Sequence, residues 1–328
     1  MTVAPERTGA GRGSAPVPPP AGRGSWRDRL GRWDTRYTPY LIVAPFFVVF
    51  GVFGLYPLLY TAWVSLHDWQ LIDGDQGFTG LANYTELLSD ENFWNALGNT
   101  LSLFLLATVP QLFAALGLAA VLDRGLRGRA FWRAGVLLPN VISVAAVALV
   151  FAQFFGRDFG IVNALLGLVG VDPVDWRAET WASHLAISSM VMWRWTGYNA
   201  LIYLAAMQSV PKDMYESATL DGAGRWRMFW SITVPSIRPT ILFTVVTSTI
   251  GGLQLFAEPA LFDPAFATSN STGGSDRQFQ TLVLYMYEKG FRLFDAGYAA
   301  TVAWMLFLVV LVVAVINFTL TRRITGKG

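Results

Sequence analysis

The segment 207–235 concentrates the residues whose spacing points to a function, and it reads MQSVPKDMYESATLDGAGRWRMFWSITVP. Pro211 suits the first turn of a helix, and Gly222 is a residue type that ends one. Ala218 and Asp221 lie on one face of this helix, because residues three or four positions apart are neighbours on its surface. The small side chain of Ala218 leaves room there for a partner to approach closely. The chemistry indicated is docking against another protein rather than catalysis.

A second helix, apolar and aromatic, is predicted over residues 226–234. Pro235 is expected to stop it before the next apolar stretch begins. Two short helices separated by glycines make a compact projection, which suits docking against another protein that exerts force on it. An ordinary helix-turn-helix connector is the alternative interpretation.

Few residues of the chain could carry catalysis. The absence of cysteine excludes disulfides, thiolate metal sites and cysteine nucleophiles. The two histidines, His67 and His184, are isolated in the sequence, whereas a membrane enzyme would want a cluster of histidines or carboxylates at one membrane face. No GxxxxGK[ST] phosphate-binding loop occurs in the sequence. We therefore expect no catalytic residue, no metal and no cofactor.

The composition identifies a membrane protein. Hydrophobic side chains make up 53% of the 328 residues and charged ones 14%, with a mean hydropathy of +0.42, whereas the charged share of a soluble domain is near a quarter. Six stretches are long enough to cross about 30 Å of hydrocarbon as helices. They are residues 41–62, 101–122, 134–155, 184–206, 236–256 and 301–320. Since they lack the alternation of barrel strands, we expect an all-α, polytopic protein with six transmembrane helices.

The basic residues are sorted along the chain as membrane topology requires. Of 24 Lys and Arg, 18 lie before the first of these stretches, around the connections after the second and fourth, or after the sixth. Residues 64–99 carry six acids and no Lys or Arg. By the positive-inside rule, both termini and the segment 207–235 are cytoplasmic. Residues 1–36 are predicted to be a disordered cytoplasmic tail, and residues 37–328 a single membrane domain.

The fourth stretch places a charge at bilayer depth among aromatic and polar residues. A charge there costs about 2.5–3.5 kcal/mol on insertion scales, so Arg194 should face the bundle interior or an aqueous cavity. Aromatic faces stack on sugar rings, while amides and hydroxyls bond sugar oxygens. The candidate substrate-pathway residues on this stretch are Trp193, Arg194, Trp195, Tyr198 and Asn199. Two alternatives stay open, a structural ion pair between Arg194 and Glu258, and interfacial or packing roles for the aromatic residues.

The fifth stretch contributes three further candidates for a substrate pathway, Ser248, Gly252 and Gln254. Gln254 is chosen for its polarity and its depth in the membrane. Gly252 and its neighbour Gly251 are equally suited to close helix packing, because small residues let membrane helices approach one another.

The segment 207–235, called the docking segment below, resembles the EAA motif of ATP-binding-cassette importer permeases. That motif reads Glu-Ala-Ala, three residues, Gly, nine residues, Ile, one residue, Leu-Pro. Five residues match it at the required spacing, Glu216, Ala218, Gly222, Ile232 and Pro235. Ser217 in place of Ala and Val234 in place of Leu are mild departures from the pattern.

Similarity extends over about residues 38–321 and is to the sugar-importer branch typified by the maltose permease subunits. The strings GFTGLANYTELLSDENFWNALGNT and GGSDRQFQTLVLYMYEKGF carry it outside the motif. The GGSDRQFQTL variant is similar to members assigned to cellobiose or chito-oligosaccharide import. Counted from Glu216 without a gap, Tyr198 and Ser248 fall where the family places residues lining its sugar site.

The resemblance implies the transmembrane fold of a type I importer, half of a di- or oligosaccharide pathway in the cell membrane. The protein partners that it implies are a second six-helix permease subunit, two ATP-binding-cassette ATPase subunits that use the ATP, and an extracytoplasmic sugar-binding protein. Membrane lipid is a further partner, and no nucleic acid is expected. It also implies a coupling site that inserts into a cleft of the ATPase. The residues expected there are Glu216, Ser217, Ala218, Asp221, Gly222, Ile232 and Pro235.

Two other functions remain open at this point. An unpaired Arg194 would favour an anionic solute such as a glycerol phosphate ester. An ion-coupled secondary transporter would show inverted repeats, spans broken at corresponding positions and intramembrane carboxylates. The sequence gives no sign of those three features, since its acids fall in loops or at the ends of the stretches.

Overall fold

Helices dominate the described part of the chain. The computed structural model describes residues 26–124, 127–269 and 271–325. In chain order the helices are α1 (Trp26–Phe50), α2 (Tyr56–Val64), α3 (Ala82–Ser89), α4 (Glu91–Asp123), α5 (Arg129–Val141), α6 (Val144–Phe154), α7 (Ile161–Leu168), α8 (Thr180–Gln208), α9 (Lys212–Leu220), α10 (Arg225–Met228), α11 (Val234–Ser236), α12 (Arg238–Leu253), α13 (Ala257–Phe262), α14 (Leu282–Tyr287) and α15 (Ala296–Thr325). Three π-helical turns accompany them, Gly51–Leu55, Phe229–Thr233 and Glu288–Arg292.

The chain divides into two units, the first ending at Leu59 and the second beginning at Tyr60. The first unit contains α1, and the second contains every site described below. Residues 1–25 of the predicted tail lie outside the described residues. From Trp26 onward the chain is helical, so the helical part begins earlier than the boundary predicted after residue 36.

Length and composition identify three membrane-crossing helical segments among the described residues. They are Thr38–Val64, Glu91–Asp123 and Ala296–Thr319. These segments correspond to the first, second and sixth predicted stretches. The number rises to five if two bent helix pairs each count as one span.

The first of two bends corrects the prediction of a continuous third span, whereas the second falls at the start of the fifth predicted span, next to where the preceding helix was expected to stop. Helices α5 and α6 meet at 88°, and the segments Arg225–Ser236 and Arg238–Leu253 meet at 70°. The first break lies at Ile142, whose extended backbone (ψ 141°) ends α5. The second lies at Ile237, where Pro239 in the first turn of α12 has no N–H to donate to the turn before it. Apolar composition concealed the break at Ile142, because a bent and a straight span are equally hydrophobic.

Helix α8 corresponds to the fourth predicted span. Its 29 residues are enough to cross the hydrocarbon, but it is more polar than the three segments identified by composition. It packs along α4 and also contacts α5, α6, α12 and α13, and its polar residues Ser183, His184, Ser188 and Asn199 are buried. A helix in that position can carry polar groups because neighbouring helices, rather than lipid, contact them.

Small side chains allow α4 and α8 to pack closely. The alanines Ala107, Ala115, Ala119, Ala182, Ala186 and Ala200 are all buried to within 1%. On its other side α8 approaches α5 at Gly197, where an added Cβ would lie 1.7 Å from the Val136 carbonyl oxygen. These contacts make α8 the centre of the second unit.

A short hairpin in the acidic segment is an addition to the predicted all-α fold. Strands β1 (His67–Gln70) and β2 (Gly74–Phe78) pair antiparallel, with His67 opposite Phe78. The first residues of α15 lie against β1, where a Cβ on Gly297 would lie 2.3 Å from the His67 carbonyl oxygen. Sequence reasoning assigned this segment to loop because a four-residue strand has little periodicity.

Asp90 joins the start of α4 to α14 and α15. Its carboxylate accepts hydrogen bonds from the hydroxyls of Tyr285 and Tyr298 and from the backbone N–H of Asn92, and its Oδ2 lies 3.8 Å from Lys289 Nζ. Burial by itself raises the pKa of Asp90. The hydrogen bonds and the lysine charge more than offset that effect and hold its pKa below the ordinary value.

We predict that Asp90→Asn lowers the unfolding temperature at pH 7. Because the pKa is lower in the folded protein than in the unfolded chain, about 3.9, the carboxylate stabilises the fold above that pH. This contribution is lost as the pH falls through the folded-state pKa. The difference in unfolding temperature between wild type and variant, measured in detergent, should therefore shrink as the pH falls from 7 to 3. The exposed Asp73→Asn serves as control and should change little at any pH, and a pH-independent difference for Asp90→Asn would contradict the assignment.

Candidate functional site

Helices α8 and α12 are joined by two polar contacts inside the bundle. The Asn199 amide donates to Ser248 Oγ at 3.1 Å, and the hydroxyls of Tyr203 and Thr244 lie 2.6 Å apart. Both pairs use residues four positions apart on each helix, so one face of α8 meets one face of α12. These contacts place the polar face of the fourth predicted span against that of the fifth.

A cavity of about 530 Å³ lies beside these contacts. It combines two aromatic rings, two amides, a hydroxyl and a glycine from the sequence-predicted pathway residues. Those brought together at its wall are Trp195, Tyr198, Asn199, Ser248, Gly252 and Gln254. The rings of Trp195 and Tyr198 meet edge to face at 5.8 Å, and both are about two-fifths exposed. The arrangement offers flat apolar surfaces and hydrogen-bonding groups to the same small volume.

Sequence reasoning missed several residues of this wall. Helix α4 contributes Thr108 and Gln111, and the α12 side contributes Phe243, Thr247 and Phe256. The Gln111 amide donates to the Trp195 carbonyl at 3.1 Å. An amide in an otherwise apolar span was a usable signal for Gln111, because polar groups at that depth usually face protein. The apolar residues carried no such signal.

Trp193 lies elsewhere. Its ring is 5.7 Å from that of Phe151 on α6, and it lines a separate cavity of about 440 Å³ between α8 and α5. A residue two positions from Trp195 on a helix points about 160° away from it. The structure therefore does not bring Trp193 to the cavity that holds the other candidates.

Arg194 forms an ion pair with Glu258 on α13. The Arg194 Nη1–Glu258 Oε1 distance is 2.5 Å, and the two side chains are 12% and 8% exposed. Glu258 lines the 530 Å³ cavity, whereas Arg194 is outside its lining. Arg194 was left open as either a substrate contact or a structural ion pair with Glu258. The geometry is that of the ion pair.

The docking segment begins with α9, which ends at Leu220 in a pattern of two backbone hydrogen bonds. The N–H of Gly222 donates to Thr219 O at 3.0 Å, and the N–H of Ala223 donates to Ala218 O at 2.9 Å. Gly222 has φ +77°, the left-handed conformation that glycine adopts without penalty. This is the helix end that the glycine predicted.

The second helix of the segment extends further than predicted. It begins at Arg225 and continues through the π-helical turn and α11 to Ser236, so Pro235 does not stop it. In the π-helical turn the N–H of Val234 donates to Phe229 O, five residues back. This wider turn precedes Pro235 and accommodates a ring that a regular α-helix would exclude.

The EAA-type residues divide between surface and interior. Glu216, Ser217, Asp221, Gly222 and Pro235 are exposed, Ala218 is half-buried, and Ile232 packs in the core beneath. Tyr215 OH and Thr233 Oγ1 lie 2.9 Å apart and tie the two helices together. Two large apolar side chains are left in the open, Leu220 at 90% and Trp226 at 74% exposure. Leu220 is not among the residues predicted for the coupling site.

The histidines and acids of the described residues do not form a metal site, since no group of three potential ligands comes together there. His184 instead joins α8 to its surroundings. Its Nδ1 lies 2.8 Å from Ser102 Oγ on α4, and its Nε2 lies 2.9 Å from the Gln278 carbonyl oxygen. Both ring nitrogens of His184 thus have partners within the protein.

Comparison with known proteins gives consistent matches over nearly the whole chain. The profile of the protein family described as "Binding-protein-dependent transport system inner membrane component" matches residues 21–326. The chain is 37% identical over 288 residues to the lactose transport system permease protein LacF of Rhizobium radiobacter, covering 87% of this chain and 94% of that protein.

Two solved structures are also similar to this chain. One is the crystal structure of a bacterial ABC transporter involved in the import of the acidic polysaccharide alginate, with a TM-score of 0.74 and 26% identity, covering 90% of this chain and 99% of the other. The second shows a bacterial alginate ABC transporter in complex with a periplasmic protein that carries an alginate pentasaccharide. Its TM-score is 0.74 at 25% identity, covering 92% of this chain and 99% of the other.

The two adjacent glycines of α12 give a matched pair of variants. A Cβ on Gly252 would lie 2.6 Å from Thr108 Oγ1 and 2.9 Å from Phe104 Cδ2, whereas a Cβ on Gly251 would meet no atom within 4 Å. We predict that Gly252→Ala costs about 1–3 kcal/mol by forcing α12 away from α4, and that Gly251→Ala has little effect. Unfolding midpoints in detergent measure both variants. Equal stability of the two would show that α12 and α4 are further apart than described.

Proposed function

The chain belongs to the family of binding-protein-dependent transport system inner membrane components, and from that premise we propose that it is the permease subunit of an ATP-driven sugar importer. The observation that carries the proposal is the cavity between α8, α12 and α4, where aromatic rings, amides and hydroxyls converge. Sugar rings have apolar C–H faces and a hydroxyl periphery, so this combination of groups fits them. Lactose and alginate transport in the similar proteins supports the same class of solute.

We infer that the chain forms one half of the pathway. Two residues of the cavity wall, Trp195 and Tyr198, stay about two-fifths exposed, and a substrate passing through a membrane needs a wall all round. A second six-helix permease subunit would supply the other side. The partly exposed rings of Tyr198 and Trp195 would then contact a sugar held between the two subunits.

Movement of the ATPase would be transmitted to this chain through α9 and the helix that follows it. Glu216 and Ser217 are exposed on α9, and Leu220 and Trp226 offer apolar surface beside them. A separate ATPase subunit that covers this projection would bury the apolar side chains and gain a rigid contact for pushing. Two such subunits would use the ATP, and this chain would need no cofactor of its own.

The proposed substrate is a neutral di- or oligosaccharide. The alternative of an anionic solute depended on an unpaired cation, and Arg194 is paired with Glu258 at 2.5 Å. An extracytoplasmic binding protein would deliver the sugar to the outer face, as the family description and the alginate complex suggest. In this orientation both termini and the docking segment are cytoplasmic, which agrees with the distribution of basic residues.

Reconstitution tests this function against the alternative of an ion-coupled transporter. The chain, its co-purifying permease and ATPase subunits and the binding protein are placed in proteoliposomes that contain or lack ATP. We expect sugar uptake that requires ATP and the binding protein and that persists when ionophores remove ion gradients. The isolated chain should neither hydrolyse ATP nor transport. Uptake by the chain alone, or uptake driven by an ion gradient without ATP, would contradict the proposal.

The two glycines after α9 separate coupling from folding. Gly222 has φ +77° and Gly224 has φ −70°, and neither is crowded by neighbouring atoms. A β-branched residue is a severe outlier at positive φ, so Gly222→Val should distort the end of α9 and lower ATP-driven uptake at least tenfold. Gly224→Val should leave uptake near the wild-type rate.

Fluorescence-detected size exclusion of the assembled complex provides the control for this pair, since both variants should insert and pair normally. Normal uptake in Gly222→Val, with the variant fully assembled, would contradict a coupling role for this segment.

A further inference from the structure

Among the residues that the structure describes, those of the cavity wall include one carboxylate and no cation. Its other polar residues are amides and hydroxyls, and the carboxylate is that of Glu258 at the start of α13. A single buried carboxylate in a sugar-sized cavity is unexpected if the cavity only needs to hold neutral hydroxyls, because burying a charge is costly. Its position suggests a role that involves charge.

Glu258 stands between the cavity and the Arg194 guanidinium. Arg194 Nη1 lies 2.5 Å from Glu258 Oε1, and Arg194 Nε has no hydrogen-bond partner among the described residues. The guanidinium carbon also lies 6.0 Å from the ring centroid of Trp195, which itself lines the cavity. The cation is therefore next to the cavity but is neutralised before a solute can reach it.

We propose that Glu258 determines the charge selectivity of the pathway, by pairing with Arg194 so that the cavity admits neutral sugars and rejects acidic ones. This inference rests on the proposed sugar-import function and specifies its solute class. A sugar carboxylate in the cavity would lie nearer to the Glu258 carboxylate than to the Arg194 guanidinium, so the ion pair as a whole would repel it. It could gain no attraction from Arg194 unless the pair came apart.

Removal of the Glu258 charge should reverse the preference. In Glu258→Gln the buried guanidinium loses its counter-ion and adjoins the cavity, so an acidic sugar becomes the partner that compensates it. The chain's similarity to an importer of the acidic polysaccharide alginate shows that this fold also serves acidic solutes. The charge of the cavity wall, rather than the fold, would then decide between them.

The test measures solute occupancy of the cavity directly, because a transport assay would also report the preference of the binding protein. This chain has no cysteine, so Thr247→Cys at the cavity wall adds a unique thiol to it. The complete transporter in lipid nanodiscs, without binding protein, is treated with uncharged N-ethylmaleimide, and the labelling of this chain is followed by mass spectrometry. The probes are cellobiose and cellobiouronic acid, which share a skeleton and differ by one carboxylate.

We expect cellobiose to slow the labelling of Thr247→Cys at concentrations at least tenfold lower than cellobiouronic acid does. Adding Glu258→Gln should change the ratio of the two protective concentrations at least tenfold toward the acid, which corresponds to about 1.4 kcal/mol. The double substitution Arg194→Gln with Glu258→Gln is the matched control and should protect with both probes about equally.

The outcomes separate the inference from the function beneath it. Protection by cellobiose with a ratio that Glu258→Gln leaves unchanged would overturn the selectivity role and leave the sugar pathway intact. Failure of both probes to protect the thiol in every variant would overturn the sugar pathway itself.

If Glu258→Gln fails to assemble, the exchange Arg194→Glu with Glu258→Arg keeps a buried pair and places the cation at the cavity wall. That variant should favour cellobiouronic acid, and a preference for cellobiose would overturn the proposal.

Discussion

A polar side chain inside a lipid bilayer must find its partner within the protein, and the second unit of this chain is organised around that constraint. Helix α8 carries polar groups whose partners lie on several neighbouring elements. His184 contacts α4 and the 263–281 segment, Arg194 contacts α13, and Asn199 and Tyr203 contact α12. Satisfying these groups fixes α12 and α13 around α8. The cavity is the space left where those neighbours diverge.

Close packing by small residues makes these pairings possible. Alanines line the α4–α8 contact, and Gly252 brings α12 to the side of Thr108 on α4. The short α12, only 16 residues long, follows a 70° bend from the helix of the docking segment. Because Ile237 at this bend is itself buried in a core shared with α8, a displacement of the docking segment would be transmitted to the wall that carries Ser248. Docking surface and cavity are thus linked through one packed core.

Features of the fold and the cavity could be predicted from the sequence where a residue type determines its own backbone conformation or its depth in the membrane. Gly222 ends α9 as expected, the apolar stretches indicate a membrane bundle, and Tyr198, Asn199 and Ser248 meet at one cavity. The bend at Ile142 was missed because hydrophobicity does not report direction, whereas the break at Ile237 lies two residues beyond Pro235, where a helix end was expected.

Other misses have equally physical causes. Trp193 was grouped with Trp195 by proximity in the chain, although a helix sends the two to different faces. Thr108 and Gln111 lie more than 80 residues from Trp195 in the sequence, and only tertiary packing brings them to the same wall.

The most direct measurement of the central claim is a cryo-electron microscopy map of the complete transporter, trapped with sugar in transit. We predict sugar density against the Tyr198 ring and within hydrogen-bond distance of Asn199 or Ser248. Sugar density elsewhere in the pathway, with this cavity filled by side chains or lipid, would contradict the account.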